Sequence, residues 1–376
     1  VNAPFAPRKS FAGRRRRAKV GPMSQRIDNR SRRRKEGTPL AARSEALATT
    51  ASPWTMTSAL ASSHSHQQAA LLDSGLVLTM GGYSGEGYLS GRAQLYNPYS
   101  NTWQSTGSLS SPRYYFATVK LDSGKVLVSG GWEFWYMLSG AEVYDPATGT
   151  WSYAGSLRQR RHSHRATLLQ SGKVLVTGGQ VEFRNGPDVR FEDATTAELY
   201  DPETNTWSPA GNVGHGTRDS VPVLLYSGEV MLITGNLVDI YDPATNTWRS
   251  EAPMPAYRNG FTATRLYSGD VLVVGGSSSG TATFLYDPYN KQWRSGPPTH
   301  RAHAHHTATL LYSGEVLIAG GSDGSTERYD PSTNTWTLLP NIPSGYTSGT
   351  SVLLHSGQVL VTGGEERNSS AALFTP

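Results

Sequence analysis

The chain has 376 residues with 40 Gly, 22 Pro, 9 Trp and 19 Tyr, a composition typical of many short strands joined by frequent turns. It contains no Cys, which excludes disulfide bonds, thiolate metal ligands and cysteine nucleophiles. No apolar run approaches the roughly 18 residues of a membrane-spanning helix, so we expect a soluble protein.

The net charge of +5 conceals a strongly basic N-terminal segment. Residues 1–48 carry 14 Arg and Lys against 3 Asp and Glu, a net charge of +11, whereas the other 328 residues carry 20 against 26, a net charge of −6. Because the segment has few aliphatic residues and no hydrophobic period, we expect a disordered arm over 1–48 and a folded domain over 49–376. The arm could bind nucleic acid or an acidic surface. It could equally be a solvated linker, or lie upstream of a start at Met23.

From about residue 54 onward the sequence repeats. A Ser-Gly turn followed by a β-branched run occurs seven times, as in "SGKVLVTGG" and "SGEVLIAGG", with the turn serines 41 to 56 residues apart. Each unit predicts four strands. An apolar strand enters the Ser-Gly hairpin, a second strand leaves it, and after a variable loop a segment such as "AELYDPETNTW" supplies strands three and four around an Asp-Pro turn. In the fifth unit Lys291 replaces the Asn or Gly expected in this turn, which predicts a different local geometry.

The two ends of the repeat region complement each other. The seventh unit stops at "LFTP" without a Trp strand, whereas "SPWTMTSAL" near the N-terminus carries Trp54 and has no unit of its own. We therefore predict an all-β fold in which the strand around Trp54 completes the last sheet and closes a ring of seven four-stranded blades.

These units resemble the kelch repeat over roughly residues 51–376. The resemblance rests on the double glycine that ends strand two, the Tyr of strand three and the Trp of strand four; Gly235-Asn236 replaces the double glycine in the fourth unit. It implies a seven-bladed β-propeller similar in architecture to galactose oxidase. It also implies that strand one of each blade lines the central channel.

The resemblance places one group of segments at the channel mouth. We call the chain between strand four of one blade and strand one of the next the lead-in segment; these segments and the loops between strands two and three would share one face. Nine of the ten histidines lie in lead-in segments, and the longest loops follow strand two of the first three blades. Aromatic and Arg side chains dominate binding hot spots. The predicted ligand-binding residues are Arg113, Tyr115, Trp132, Trp135, His162, His164, Arg218, Arg258, His303, His305 and Tyr346.

The lead-in segment "THRAHAHH" holds four of the ten histidines. His303 and His305 are two residues apart, as are His64 and His66, so the members of each pair lie on one side of an extended strand, and imidazoles from several blades could bind a metal. No fixed metal motif such as HExxH occurs. A structural or ligand-contact role is the alternative, and the metal and cofactor content stay open.

Two classes of function follow. The first is a monomeric binding module that engages a protein, peptide or carbohydrate at the channel mouth. The second is a metal- or His-dependent enzyme, such as a lyase, epimerase or hydrolase, with its site at the propeller axis. Galactose oxidase-type copper chemistry is excluded, because the resemblance implies that it needs a Tyr crosslinked to a Cys. No catalytic residue is assigned, and neither the ligand nor the cellular compartment can be specified.

Overall fold

The computed structural model describes residues 52–60, 64–84, 87–185, 188–276, 280–321, 323–343, 346, 348–364 and 371–376. The basic arm predicted over residues 1–48 lies outside the described residues. All regular secondary structure within the described ranges is β-strand, and no helix there could cross a membrane.

The strands are numbered in chain order. The first seven are β1 (Trp54–Met56), β2 (His64–Ser65), β3 (Gln68–Leu71), β4 (Val77–Met80), β5 (Tyr83–Ser84), β6 (Ala93–Asn97) and β7 (Thr102–Thr106). The next seven are β8 (Ala117–Lys120), β9 (Val126–Ser129), β10 (Trp132–Glu133), β11 (Tyr136–Met137), β12 (Gly140–Asp145), β13 (Thr150–Ser156) and β14 (Arg161–His162). These are followed by β15 (Arg165–Leu168), β16 (Val174–Thr177), β17 (Gln180–Asn185), β18 (Asp188–Asp193), β19 (Thr196–Asp201) and β20 (Thr206–Asn212).

The second half of the chain is more regular. It contains β21 (Val221–Leu224), β22 (Val230–Thr234), β23 (Leu237–Asp242), β24 (Thr247–Ser250), β25 (Phe261–Arg265), β26 (Val271–Gly275), β27 (Phe284–Asp287) and β28 (Gln292–Ser295). The last strands are β29 (His306–Leu310), β30 (Val316–Gly320), β31 (Thr326–Asp330), β32 (Thr335–Leu339), β33 (Gly349–Leu353), β34 (Val359–Gly363) and β35 (Ala371–Phe374).

The described residues form seven four-stranded antiparallel sheets, numbered here as blades 1 to 7. They are β3-β4-β6-β7, β8-β9-β12-β13, β15-β16-β19-β20, β21-β22-β23-β24, β25-β26-β27-β28, β29-β30-β31-β32 and β33-β34-β35-β1. The first strand of each blade contacts the first strand of both neighbouring blades, and β3 contacts β33, so the inner strands form a closed ring. Trp54 pairs with Phe374 in β1 and β35, as predicted for ring closure.

The Ser-Gly turns also close a ring at one end of the propeller, here called the bottom face. The side chain that precedes each turn serine lies against the turn glycine of the next blade. The seven contacts are Asp73 with Gly124, Asp122 with Gly172, Gln170 with Gly228, Tyr226 with Gly269, Tyr267 with Gly314, Tyr312 with Gly357 and His355 with Gly75. These glycines have φ between 78° and 95°, so they supply the left-handed conformation that a tight hairpin requires.

The Tyr and Trp that recur in the repeat units join neighbouring blades. Tyr96 packs on Trp103 with ring centroids 4.7 Å apart, and similar pairs recur in the following blades. Each Trp indole donates a hydrogen bond to a carbonyl of the preceding blade or its outgoing segment. The acceptors are Pro340 for Trp54, Ser58 for Trp103, Gly107 for Trp151, Ala154 for Trp207, Ala210 for Trp248, Ala252 for Trp293 and Pro297 for Trp336. The Trp therefore fills the space between blades and has its polar N–H satisfied there.

The first glycine of the double glycine makes room for the next blade. A Cβ at Gly130 would lie 2.5 Å from the Arg161 carbonyl oxygen and 2.7 Å from His164 Cε1, and φ there is 55°. We expect Gly130→Ala to lower the free energy of unfolding by about 2–3 kcal/mol, because it combines a left-handed alanine with overpacking.

The matched control for this substitution is Gly140→Ala, since nothing lies within 4 Å of a Cβ at Gly140. Chemical denaturation of both variants measures the difference. Equal stabilities would show that the double glycine is not needed for blade packing.

Candidate functional site

Buried acid–base pairs fix three of the lead-in segments to their blades. Arg113 pairs with Glu142 at 2.6 Å, Arg161 with Glu198 at 2.9 Å, and His303 with Glu327 at 3.0 Å. Each carboxylate lies on strand three of the blade and also accepts two backbone N–H groups of the lead-in segment. The donors are Ser110 and Ser111 to Glu142, Arg158 and Gln159 to Glu198, and His300 and Arg301 to Glu327. We call this arrangement the blade clamp.

The blade clamp corrects the prediction for Arg113 and His303, and Arg258 lies at the equivalent place in blade 5. The first two belong to the clamp and are 1% exposed. In blade 5 Phe284 occupies the carboxylate position, and Arg258 lies over its ring at 5.1 Å and donates to the Gly275 carbonyl. Arg113 and His303 therefore hold their own blades together and do not reach the surface, whereas Arg258 also lines a cavity at blade 4, and its role in binding stays a prediction.

The predictions for His164 and Tyr346 are corrected for the same reason. His164 is 2% exposed, and its Nε2 lies 3.0 Å from the Ser129 hydroxyl of blade 2. Tyr346 is fully buried in the hydrophobic cluster between blades 6 and 7. Both side chains therefore pack between blades.

The face that carries the lead-in segments, here called the top face, has its own ring of equivalent positions. The residue eight positions before each turn serine has a left-handed backbone in all seven blades. These residues are His66, Tyr115, Ser163, Asp219, Gly260, His305 and Ser348. The Ser163 amide donates to the Tyr115 carbonyl, and the Ser348 amide donates to the His305 carbonyl. Six of the seven are not glycine, and such strained backbones cluster at functional sites.

Part of this ring continues into an aromatic surface across blades 1 to 3. The Tyr115 hydroxyl lies 3.1 Å from His66 Nε2, and the Tyr115 ring is 6.0 Å from the His162 ring. His162 packs edge-on against Trp132 at 5.0 Å, and Trp132 contacts Phe191 at 5.4 Å. Tyr83 and Tyr114 extend the same surface. We call these seven residues, from His66 to Phe191, the aromatic surface.

Two hairpins raise one side of this surface. The β10–β11 hairpin carries Trp135, which is 87% exposed, and the β17–β18 hairpin extends the lead-in strand β14 into a three-stranded sheet. Glu182 on β17 accepts the Met137 amide, which ties the two hairpins together. The long loops that follow strand two in blades 2 and 3 therefore contain ordered strands.

A polar cavity of about 470 Å³ adjoins the aromatic surface at blade 4. Arg218 and Asp219 line it together with Tyr257, which is 73% exposed. Gly235-Asn236, which replaces the double glycine, also lies in its wall. The short connection between β22 and β23 therefore leaves an opening beside the hairpins of blades 2 and 3.

Comparison with known proteins identifies the repeat. Residues 112–158 and 304–343 match the Kelch motif. The chain is a kelch-repeat β-propeller. Its fold is similar to a fungal alcohol oxidase of the AA5 family solved in complex with copper, with a TM-score of 0.70, 15% sequence identity, and coverage of 86% of this chain and 76% of that one. At this identity the likeness shows the fold alone. No curated protein sequence matches the chain.

The donor set of this kelch propeller does not fit a copper centre of the kind held by that oxidase. Within the described ranges no three His, Asp or Glu side chains are placed to hold one ion, and the sequence has no Cys. The four histidines of "THRAHAHH" instead contact three separate groups. His300 and His303 both contact Glu327, His305 lies over Gly260, and His306 Nε2 lies 2.8 Å from the Thr262 hydroxyl.

The six remaining predicted ligand residues differ in position. Tyr115, Trp132 and His162 lie together in the aromatic surface. Burial, and then the positive charge of Arg218, lower the pKa of His162 to about 4, so the imidazole is neutral at pH 7. Trp135 stands on its hairpin, and His305 lies on blade 6, outside this surface. Their role in binding stays a prediction.

The prediction from sequence omitted four members of the aromatic surface, namely His66, Tyr83, Tyr114 and Phe191. A signal for His66 is present in the sequence, because aligning the seven units on their turn serines places it in register with Tyr115 and His305. Tyr83 and Phe191 lie in loops of different length, where no such register exists.

Proposed function

We propose that this kelch propeller is a binding module that holds an extended peptide segment of a partner protein on the aromatic surface of its top face. The observation that carries the proposal is the continuity of that surface over three blades, with Tyr115 41% and Phe191 45% exposed. Partly exposed aromatic rings that already pack on one another lose little side-chain entropy on binding and give a large apolar contact area.

The edge of the β17–β18 hairpin favours a peptide over other ligands. β18 is the outer strand of its sheet, and all six of its residues are exposed. An edge strand offers N–H and C=O groups to which an extended peptide can add as a further strand. Phe191 on β18 also contacts Trp132, so a peptide added here would lie beside the aromatic surface.

A selection from a phage-displayed library of random peptides tests this proposal. We expect the propeller to enrich binders that lose at least about 30-fold in affinity when Trp132 and Phe191 are both replaced by alanine, as for interface hot spots. Tyr99→Ala is the matched control, because Tyr99 is 74% exposed in an Asp-Pro-type turn on the bottom face.

Three outcomes would contradict the proposal. They are the absence of enriched peptides, peptides that bind the double variant as tightly as the native chain, and peptides that Tyr99→Ala weakens equally. A glycan array on the same variants examines the carbohydrate alternative for the top face. If the native chain binds a glycan but no peptide, and the double variant loses that glycan binding, the ligand of the top face is a saccharide and not a peptide.

A further inference from the structure

The Asp-Pro turn of blade 5 has the left-handed backbone of its counterparts but a different residue there, so the different local geometry predicted for it is wrong. Lys291 occupies the left-handed position, with φ 55°, where four other turns have Asn and one has Gly. A lysine gains no local hydrogen bond in this conformation, unlike Asn, so the backbone there is strained. The Lys291 side chain points to Glu251, with Nζ 3.4 Å from the carboxylate.

The exchange also removes the usual partner of a buried tyrosine. In blades 1, 3, 4 and 6 the strand-three tyrosine donates its hydroxyl to the turn Asn at 2.8 to 3.0 Å. In blade 2, where the turn has Gly149, Tyr144 bonds Thr106 instead. Tyr286 of blade 5 is 1% exposed, and its hydroxyl makes no hydrogen bond within the part of the chain that the structure describes. Its oxygen is not among the fully buried atoms that lack a partner, so it reaches the cavity that Tyr286 lines. A hydroxyl that opens into a cavity without a protein partner can donate to a ligand there.

Tyr286 lines a cavity of about 400 Å³ between blades 4 and 5 on the bottom face. Lys291 and Glu251 form part of its wall, and Tyr226 and Tyr289 flank it. Tyr289 is 92% exposed and Tyr226 57% exposed, so aromatic rings border the opening. A buried donor, a polar wall and exposed rings are the components of a small-molecule site.

The charges of the wall are largely matched in pairs. Glu229 pairs with Arg249 at 2.6 Å, Glu251 with Lys291, and Asp270 with Arg294 at 2.6 Å. The fourth carboxylate, Asp287, accepts the backbone amides of its own turn. A charged ligand would disturb these pairs, whereas vicinal hydroxyl groups can donate to a carboxylate and accept from its cationic partner.

We propose that this cavity binds a neutral saccharide, with Tyr286 donating its hydroxyl hydrogen to a sugar oxygen and Tyr289 stacking on the sugar ring. The site is independent of the peptide surface proposed on the top face. Burial, together with the nearby Glu251, raises the pKa of Tyr286 to about 12, so this hydroxyl keeps its proton at neutral pH.

The groove between blades 2 and 3 provides an internal comparison. It has a volume of about 620 Å³ and is lined by equivalent elements, yet Tyr200 donates to Asn205 there at 3.0 Å. Its tyrosine is therefore already satisfied. Tyr200→Phe is the matched control for Tyr286→Phe, since each removes one hydroxyl from the same position of a blade.

Saturation-transfer NMR and calorimetry of the full chain test the proposal. The saccharide probes are methyl glucoside, methyl galactoside, methyl mannoside and N-acetylglucosamine, and sodium sulfate is the anionic comparison. We expect at least one saccharide to bind at millimolar concentration, about 3- to 10-fold more weakly to Tyr286→Phe, as for the loss of one hydrogen bond. Lys291→Asn should restore the Tyr–Asn bond, abolish binding and raise the melting temperature.

Tyr200→Phe and the top-face double variant Trp132→Ala/Phe191→Ala should bind the saccharide like the native chain. The proposal is overturned if none of the four saccharides binds, if Tyr286→Phe and Lys291→Asn bind like the native chain, or if sulfate competes for the site. Loss of saccharide binding in the top-face variant alone would move the sugar site to the aromatic surface.

Discussion

Replacing Glu198 with alanine is expected to lower the free energy of unfolding of the propeller by about 3–5 kcal/mol, the range for breaking a buried ion pair from one side. The Arg161 side chain is 0% exposed and would be left as an uncompensated buried cation. The backbone N–H groups of Arg158 and Gln159 would lose their acceptor as well. Equilibrium unfolding in urea measures the loss.

Two further variants isolate the cause. Glu203→Ala, on the exposed turn of the same blade, should change the free energy of unfolding by less than about 0.5 kcal/mol. The double variant Arg161→Met/Glu198→Leu removes both charges and should recover most of the loss, as buried pairs replaced by apolar residues often do. Blade 5 already places Phe284 at the carboxylate position. A loss below about 1 kcal/mol for Glu198→Ala would show that the blade clamp does not stabilise the fold.

The architecture could be predicted because each blade repeats a local signal. A Ser-Gly hairpin, a β-branched run and an Asp-Pro or Asn-Pro turn each act over a few residues; the first two occur seven times in the chain and the third occurs six times. The unpaired strand at Trp54 then identified the closure, which the pairing with Phe374 confirms. The repeat does not specify the variable loops, because their length and sequence differ from blade to blade. The β17–β18 hairpin and its contact with Trp132 are therefore visible only in the structure.

The site residues were harder to predict because burial depends on distant partners. Arg113 and Arg218 both look like ligand-binding side chains in a lead-in segment, yet Glu142, which encloses Arg113, lies 29 residues away in sequence. Register on the turn serine separates the two roles. Residues ten positions before it, such as Arg113 and His303, are buried in the clamp, whereas Tyr115 and His305, eight positions before it, have a left-handed backbone and exposed side chains.

Acidification from pH 7 to pH 5 is expected to destabilise the propeller by about 2 kcal/mol through the buried His306, and the buried His164 adds a loss of the same sign. Burial, and then His303 and His305, lower the pKa of His306 to about 3. Burial, and then Arg161, His162 and Arg165, hold the pKa of His164 well below 6.5. Because the folded-state pKa values are depressed, the stability is complete above about pH 6.5 and is lost as the pH falls, while the unfolded chain takes up protons.

The double variant His164→Gln/His306→Gln separates this effect from other acid-labile groups. We expect it to be less stable at pH 7 but to lose at least about 2 kcal/mol less between pH 7 and pH 5, measured by urea unfolding at each pH. His355→Gln, an exposed histidine on the bottom face, should keep the native slope; a native slope in the double variant would contradict the assignment.

Burial would raise the pKa of Glu327, but hydrogen bonds from His303, His300 and Arg301 hold it below 4.5. Its contribution is therefore lost only at lower pH, so the interval from pH 7 to pH 5 reports histidines whose pKa burial depresses. His162 of the aromatic surface is one of them and remains in the double variant.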